Sequence, residues 1–375
     1  MKKFPFKLFV LFILGLALLA CDKNEDEDPS TGECCPNDQL PILNEIDQRN
    51  FKMGFTTWPY NDQLGGQDTT YAFLRAQGDI YAEHIDDKIP WSAWIDSTAL
   101  PQEFVNNIQG RKGRRINGNE LLVSVSLFNN LRTDLAEDYN GSTPAYDSLN
   151  QPNLIDAYFK HLDYIITELQ PDQMVLALEV NEILRNNPGV WPEYLKMINE
   201  IRPLIKNKYP NLPLSESVTL HNLANASSTE LQEVSHYINS NHDFASISLH
   251  PHLGDLNDLT SYRQALQTLN ANITLPIAVV ETSALAEDLI VPNLSINIPA
   301  DEQFQKALLE ELLLNAHREH YQFIIWWCHR DYDSLWQTFP PSVKDLGQLW
   351  RDTGLLDEEG NERSGFAVWE EILSR

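Results

Sequence analysis

Eight short apolar runs recur along the chain, and most are followed by a stretch whose apolar residues repeat every three or four positions. The runs lie at 51–58, 78–86, 120–129, 173–181, 212–220, 244–252, 275–283 and 321–329. Segments between them, such as "NLIDAYFKHLDYIITELQ" and "EQFQKALLEELLLNAHREH", carry the helical period. Strands separated by crossover helices lie parallel in one sheet. A count of eight predicts a closed (β/α)8 barrel, α/β in class, over residues 45–375. An open doubly wound sheet is the runner-up. It would show a glycine-rich phosphate turn after the first run, and "GFTTWPYNDQLGG" has no GxGxxG spacing.

Two segments of different chemistry precede the barrel. Residues 1–20, "MKKFPFKLFVLFILGLALLA", have a basic start, an apolar run and small residues before Cys21. That is the pattern of a lipoprotein signal peptide, so the expectation is cleavage and attachment to a membrane through a lipid on Cys21. Residues 21–44 are acidic, contain Pro and Gly and hold few apolar side chains, which predicts a flexible tether. An acidic run directly after the lipidated cysteine resembles the export tag of Bacteroidetes lipoproteins. It implies an outer membrane lipoprotein exposed on the cell surface. Cys34 and Cys35 are adjacent in the tether and Cys328 sits in an apolar run, so no metal-type cysteine spacing is present.

The formal net charge is −27. A phosphate backbone or other polyanion is repelled by such a surface, so nucleic acid is excluded as a partner and neutral ligands are favoured. Oligomeric state leaves no trace in the sequence.

Active sites of barrels of this kind form at the C-terminal ends of the strands. The ends of the eight runs carry Trp58, His84, Asp86, Asn129, Asn130, Glu179, Asn181, His250, His252, Glu281, Trp326 and Trp327. Carboxylates, amides, imidazoles and indoles together suit a sugar: the polar groups hold hydroxyls and the indole faces pack on the ring. Side chains alternate along a strand. In "LALEVNEIL" one parity is Leu176, Leu178, Val180 and Glu182, suited to the layer behind the barrel. The other is Ala177, Glu179 and Asn181, which predicts that Glu179 and Asn181 face the cavity together. The seventh run ends in Glu281 after a series of apolar residues, where a carboxylate is costly unless hydrogen-bonded or functional. His250 shares parity with Ser246 and Ser248 and faces the cavity on the same reasoning, while Trp326 and Trp327 have opposite parity, so one of them lines it. His84, Asn130 and Trp58 complete the expected sugar contacts. His250 and His252 form an H-x-H pair, but on the sixth strand and without a lysine bridge; no metal and no cofactor is expected.

Glutamates ending the fourth and seventh strands of an eight-stranded barrel, with aromatic residues at the eighth, resemble the large clan of retaining β-glycosidases. Within it, "KMGFTTWPY", "VVETS" and "WRDTGLLDEEGNERSGFAVWEEIL" look most like the endo-β-1,4-galactanase group and its uncharacterised bacterial relatives. The resemblance spans most of Phe51 to Leu373. It implies that Glu179 is the acid/base and Glu281 the nucleophile of a retaining hydrolase acting on a β-linked neutral polysaccharide. One departure is visible. The clan places Asn immediately before the acid/base, and here that position is Leu178. Either Asn181 takes over its contact with the sugar, or Asn181 and Glu182 are the matching pair. The same departure leaves a second class open, a glycan-binding protein on the same barrel that holds its ligand without cutting it.

Overall fold

The structure, a computed structural model, describes residues 43–86 and 88–375. The signal segment, Cys21, Cys34, Cys35 and nearly all of the tether lie outside the described residues. Leu43–Glu45, at the tether's expected end, forms a 3-10 turn whose Glu45 pairs with Arg318 at 2.6 Å. The folded body therefore takes in the last residues assigned to the tether. No helix among the described residues is long and apolar enough to cross a membrane.

Strands and crossover helices alternate throughout. The order is β1 (Lys52–Thr56), α1 (Leu64–Ala76), β2 (Ile80–Ile85), α2 (Gln102–Gly113), β3 (Glu120–Val125), α3 (Pro152–Leu169), β4 (Gln173–Val175) and α4 (Trp191–Lys208). There follow β5, broken into Leu214–Ser215 and Ser217–Thr219, α5 (Ser228–Asn241), β6 (Ala245–Leu249), α6 (Leu259–Asn272), β7 (Ile277–Thr282), α7 (Glu302–Arg318), β8 (Phe323–Trp326) and α8 (Ser364–Leu373). Every barrel pairing is parallel. The first half of β5 pairs with β4 and its second half with β6, so the sheet closes on itself as a (β/α)8 barrel.

Alternation sorts the strand residues into two layers. Ile80, Leu122, Val175, Val280 and Ile325 fill the barrel's interior. Met53, Tyr81, Val123, Met174 and Val279 pack outward against the helices. Helix α3 shows the matching pattern: Leu154, Tyr158, Leu162 and Ile165 are buried at helical spacing. Each such side chain contributes about 1.5–3 kcal/mol on burial. Gly54 stands opposite Ile80, and a Cβ there would fall 1.8 Å from the Ile80 carbonyl oxygen, so the β1–β2 contact requires glycine.

The outer layer also holds a buried carboxylate at the break in β5. Glu216 is fully buried between the hydroxyl of Tyr237 (2.8 Å), Nε2 of His242 (2.5 Å) and the guanidinium of Arg202 on α4. Burial pushes its carboxyl up, and the charges of Arg202 and His242 outweigh that and hold it at about 2.

Candidate active site

The two glutamates singled out above reach the barrel mouth by local departures from strand alternation. On β7, Ile247 of β6 faces Val279 but the next residue, Ser248, faces Glu281, so one extra residue is inserted in β7. The register with β8 shifts in the same region. A bulge of this kind re-aims the side chain that follows it, and Glu281, on the outward parity of a regular strand, turns into the cavity. On β4 the ladder ends at Val175, Leu176 and Ala177 both pack outward, and Leu178 turns into the barrel interior. Glu179 then takes a left-handed backbone, φ 52°, with its N–H donating to Ser217 Oγ at 2.8 Å.

The carboxylates face one another. A carboxylate oxygen of Glu179, one of Glu281 and a ring nitrogen of His250 lie within 4.8 Å of one another. Glu281 is 8% exposed. Its Oε1 lies 3.1 Å from His250 Nε2, and its Oε2 is 3.6 Å from His84 Nε2. A carboxylate can only accept, so Nε2 of His250 donates to it, and Nδ1 is hydrogen-bonded with the Ser283 hydroxyl at 2.7 Å. Burial raises the Glu281 carboxyl, but the imidazoles of His84 and His250 outweigh it and hold the group below its ordinary range. Glu281 is thus prepared as an anion.

Glu179 is held differently. Its Oε1 accepts from Ser248 Oγ at 2.9 Å, and its Oε2 accepts from Arg132 Nη2 at 3.0 Å. Arg132 is buried, lies in the loop after β3 and has a left-handed backbone itself, φ 48°. Its other contacts include Asp86, with Nη2 3.0 Å from Oδ2, the Ser126 hydroxyl at 2.9 Å and the Asn129 carbonyl at 3.1 Å. Burial pushes the Asp86 carboxyl up, and the Arg132 charge and hydrogen bonds outweigh that and keep it below the usual carboxylate range.

Trp58, His84, Asn130, Glu179, His250, Glu281 and Trp327 line one cavity of about 570 Å3. The rings of Trp58 and Trp327 lie 5.0 Å apart, and Tyr332 meets Trp58 edge-on at 5.7 Å. Trp326 does not line it; it is buried with its indole N–H donating to the Thr353 carbonyl at 2.9 Å, which leaves Trp327 as the cavity's indole at β8.

Asn181 departs from expectation. It is fully buried, its amide donates to Thr219 Oγ1 at 3.0 Å, and its carbonyl accepts the Thr219 N–H at 2.8 Å. The left-handed turn at Glu179 breaks the alternation on which the reading relied, so Asn181 starts the short helix Asn181–Asn186 and braces β5 instead of facing a ligand. Leu178, expected in the outer layer, faces inward for the same reason. Glu182 turns away to Thr219 and to Asn222 Nδ2, 2.6 Å distant, and burial raises its carboxyl. His252, the second histidine of the H-x-H pair, stands beside His250 with ring centres 6.1 Å apart but does not line the cavity.

Strand-end alternation does not reach Arg132, which belongs to a loop where alternation gives no direction. The sole cue is a lone basic residue in "FNNLRTDL", directly after the third run. Glu179, His250 and Glu281 are also the side chains in the cavity that offer ligand atoms to a cation. Both Glu179 oxygens and Glu281 Oε1 are engaged by Arg132, Ser248 and the His250 N–H, while Glu281 Oε2 faces His84 Nε2 at 3.6 Å.

No protein-family model matches the chain, and no curated protein matches it in sequence. Solved structures do match in shape. A GH5_18 protein from Bifidobacterium longum subsp. longum, in complex with Manb1-4GlcNAc, superposes with a TM-score of 0.60 at 13% identity, over 86% of this chain and 78% of that one. An exo-beta-1,4-mannosidase from Opitutaceae bacterium strain TAV5 gives 0.61 at 12%, over 86% and 59%. The Ignisphaera aggregans GH53 catalytic domain gives 0.53 at 12%, over 88% and 92%. Similarity at this level of identity establishes the shared barrel fold.

Proposed function

We propose that the chain is a retaining glycoside hydrolase acting on a β-linked neutral glycan, with Glu281 as nucleophile and Glu179 as general acid/base. The observation that carries this reading is the close approach of the two carboxylates across the cavity, with atoms within 4.8 Å. An oxygen-to-oxygen approach of that size fits the roughly 5–5.5 Å between carboxyl groups of retaining pairs better than the roughly 6.5–9.5 Å that leaves room for water in inverting ones.

The chemistry follows from the environment of each acid. Glu281, kept anionic by His84 and His250, attacks the anomeric carbon while Glu179 protonates the departing oxygen. The glycosyl ester on Glu281 is then hydrolysed by a water from which Glu179 removes a proton. Arg132 holds Glu179 Oε2 throughout, so Oε1, beside the Ser248 hydroxyl, carries the proton given up in the first step and receives the water's proton in the second. The Trp58–Trp327 pair provides the ring face for the sugar.

β-1,4-linked hexose glycans are the first substrates to test. The sequence resembles the β-1,4-galactanase group, and two proteins of the same fold are described with β-1,4-mannosyl chemistry in their names. Attachment to the outer membrane through Cys21 belongs to the same proposal and predicts palmitate incorporation that a Cys21→Ser variant loses.

The test of the reaction is Glu281→Gln. Release of reducing sugar from a panel of β-1,4-galactan, mannan and glucan should fall by orders of magnitude relative to the unmodified chain, and hydrolysis that continues unchanged would remove the assignment. A glycan-binding role on the same barrel is the second reading. It is favoured by Leu178 in the position where the clan has Asn and by the two partners already engaging Glu179. Tight oligosaccharide binding with no product from the unmodified chain would select it.

A further inference from the structure

The cavity has two chemically distinct parts. Its floor is polar and dense with ionisable groups: His84, Asp86, Arg132, Glu179, His250 and Glu281. Its upper wall comes from the excursion after β8, which contains the short helices Asp333–Gln337 and Pro341–Gly347 and the turn Gln348–Trp350. From it Phe339, Pro340, Val343, Leu346 and Trp350 line the cavity. Val343 is 38% exposed within this otherwise contiguous apolar wall.

The polar side chains of the same excursion are engaged elsewhere. Lys344 reaches Gln337 Oε1 at 3.3 Å and lies over the Trp336 ring. Asp345 accepts from Asn293 at 2.9 Å, and Arg351 pairs with Asp352 at 2.6 Å. A second sugar ring against this wall would lose water from its hydroxyls and meet Pro340, Val343 and Leu346, which neither donate nor accept, with the Trp350 indole N–H as a donor for a single hydroxyl. Hydrocarbon placed there gains by leaving water.

We infer that the site takes an amphiphilic glycoside, with one sugar ring on the polar floor and an alkyl, aryl or acyl group against the wall formed by Phe339, Pro340, Val343, Leu346 and Trp350. The inference rests on the glycosidase reading for the sugar and on the composition of the wall for the apolar group. That group is either the aglycone or an ester on a sugar hydroxyl; both present the same hydrocarbon.

Calorimetric titration of the full chain carrying Glu281→Gln separates these cases. The probes are the methyl β-glycoside, the octyl β-glycoside and the methyl 6-O-octanoyl β-glycoside of glucose, galactose and mannose, each below its micelle concentration. In at least one sugar series an octyl-bearing probe should bind tenfold or more tighter than the methyl glycoside. Preference for the octyl glycoside identifies an apolar aglycone, and preference for the octanoyl ester identifies an acylated sugar. Val343→Asp added to that background should bring the affinity ratio close to one, while Val343→Ile should keep it. Equal binding in all three series, no binding of any probe, or a ratio that Val343→Asp leaves unmoved would overturn the inference. Incubating the unmodified chain with the octyl glycosides and with oligosaccharides tells the two claims apart. An octyl preference without any cleavage would sink the hydrolase reading alone, and cleavage of oligosaccharides without an octyl preference would sink this inference alone.

Discussion

Arg132 and Glu179 grip each other from backbone conformations that non-glycine residues seldom adopt. Their φ angles are 48° and 52°, and Arg132 Nη2 lies 3.0 Å from Glu179 Oε2. A left-handed residue with a Cβ costs about 1–2 kcal/mol, and such strain persists where surrounding contacts over-determine it. Here those contacts are Ser217 and Ser248 around Glu179, and Ser126 and Asp86 around Arg132. The pair is a positioning device for the acid/base.

Replacing Arg132 with Met should therefore lower kcat more than it raises KM. The loss should be roughly 100-fold, as expected when a reacting group is displaced by about an ångström. Arg132→Lys keeps the charge but not the fork that serves Asp86 and Glu179 together, and should fall between the two. Steady-state kinetics on the cognate glycan check both. A change confined to KM would show that Arg132 binds substrate rather than holding Glu179.

Glu179 and Glu182 are distinguishable by leaving-group dependence. A general acid contributes about 100- to 10,000-fold, and that contribution vanishes when the leaving group needs no proton. Glu179→Gln should lose turnover of natural glycans yet still form the glycosyl-enzyme from a dinitrophenyl glycoside, and azide should restore its turnover. Glu182→Gln removes a carboxylate held by Thr219 and Asn222 outside the cavity, so activity should change by no more than a few-fold. The reverse pattern in the two variants would move the acid/base to Glu182.

Acid should unfold the protein through its buried histidines. Burial lowers His161 and His329 to about 3 from the ordinary 6.5. Above pH 6.5 both are neutral in the folded and unfolded chains, and no penalty exists. As pH falls below 6.5 the unfolded chain takes up protons that the folded one refuses, so stability drops by about 1.4 kcal/mol per pH unit for each histidine, down toward pH 3. Glu216, held at about 2, adds a loss in the same direction below 4.5. Urea titrations at pH 7, 6 and 5 should show the slope, and His161→Leu should reduce it by one proton's worth. An identical slope in that variant would contradict the assignment.

The barrel was legible because parallel strands buried on both faces leave near-continuous apolar runs, and eight of these survive in the chain. Alternation then located the strand ends but not every side chain on them. It has no access to the bulge that turns Glu281 inward or to the left-handed turn at Glu179, since neither Val280 nor Leu178 announces it in the sequence. Asn181 was misplaced by that turn, and the choice between Trp326 and Trp327 needed the register of β8 against β7. Arg132 and the wall around Val343 arise from loops, whose course no periodicity encodes.

The central claim is that Glu281 forms a covalent bond to the sugar, and trapping it is the most direct test. The full chain would be incubated with 2-deoxy-2-fluoro-β-glycosyl fluorides of the gluco, galacto and manno series, digested, and mapped by mass spectrometry. The account predicts one added fluoroglycosyl group on the peptide bearing Glu281, absent when that residue is Gln. A label on any other residue, or hydrolysis of glycans with inversion at the anomeric carbon and no label, would contradict it.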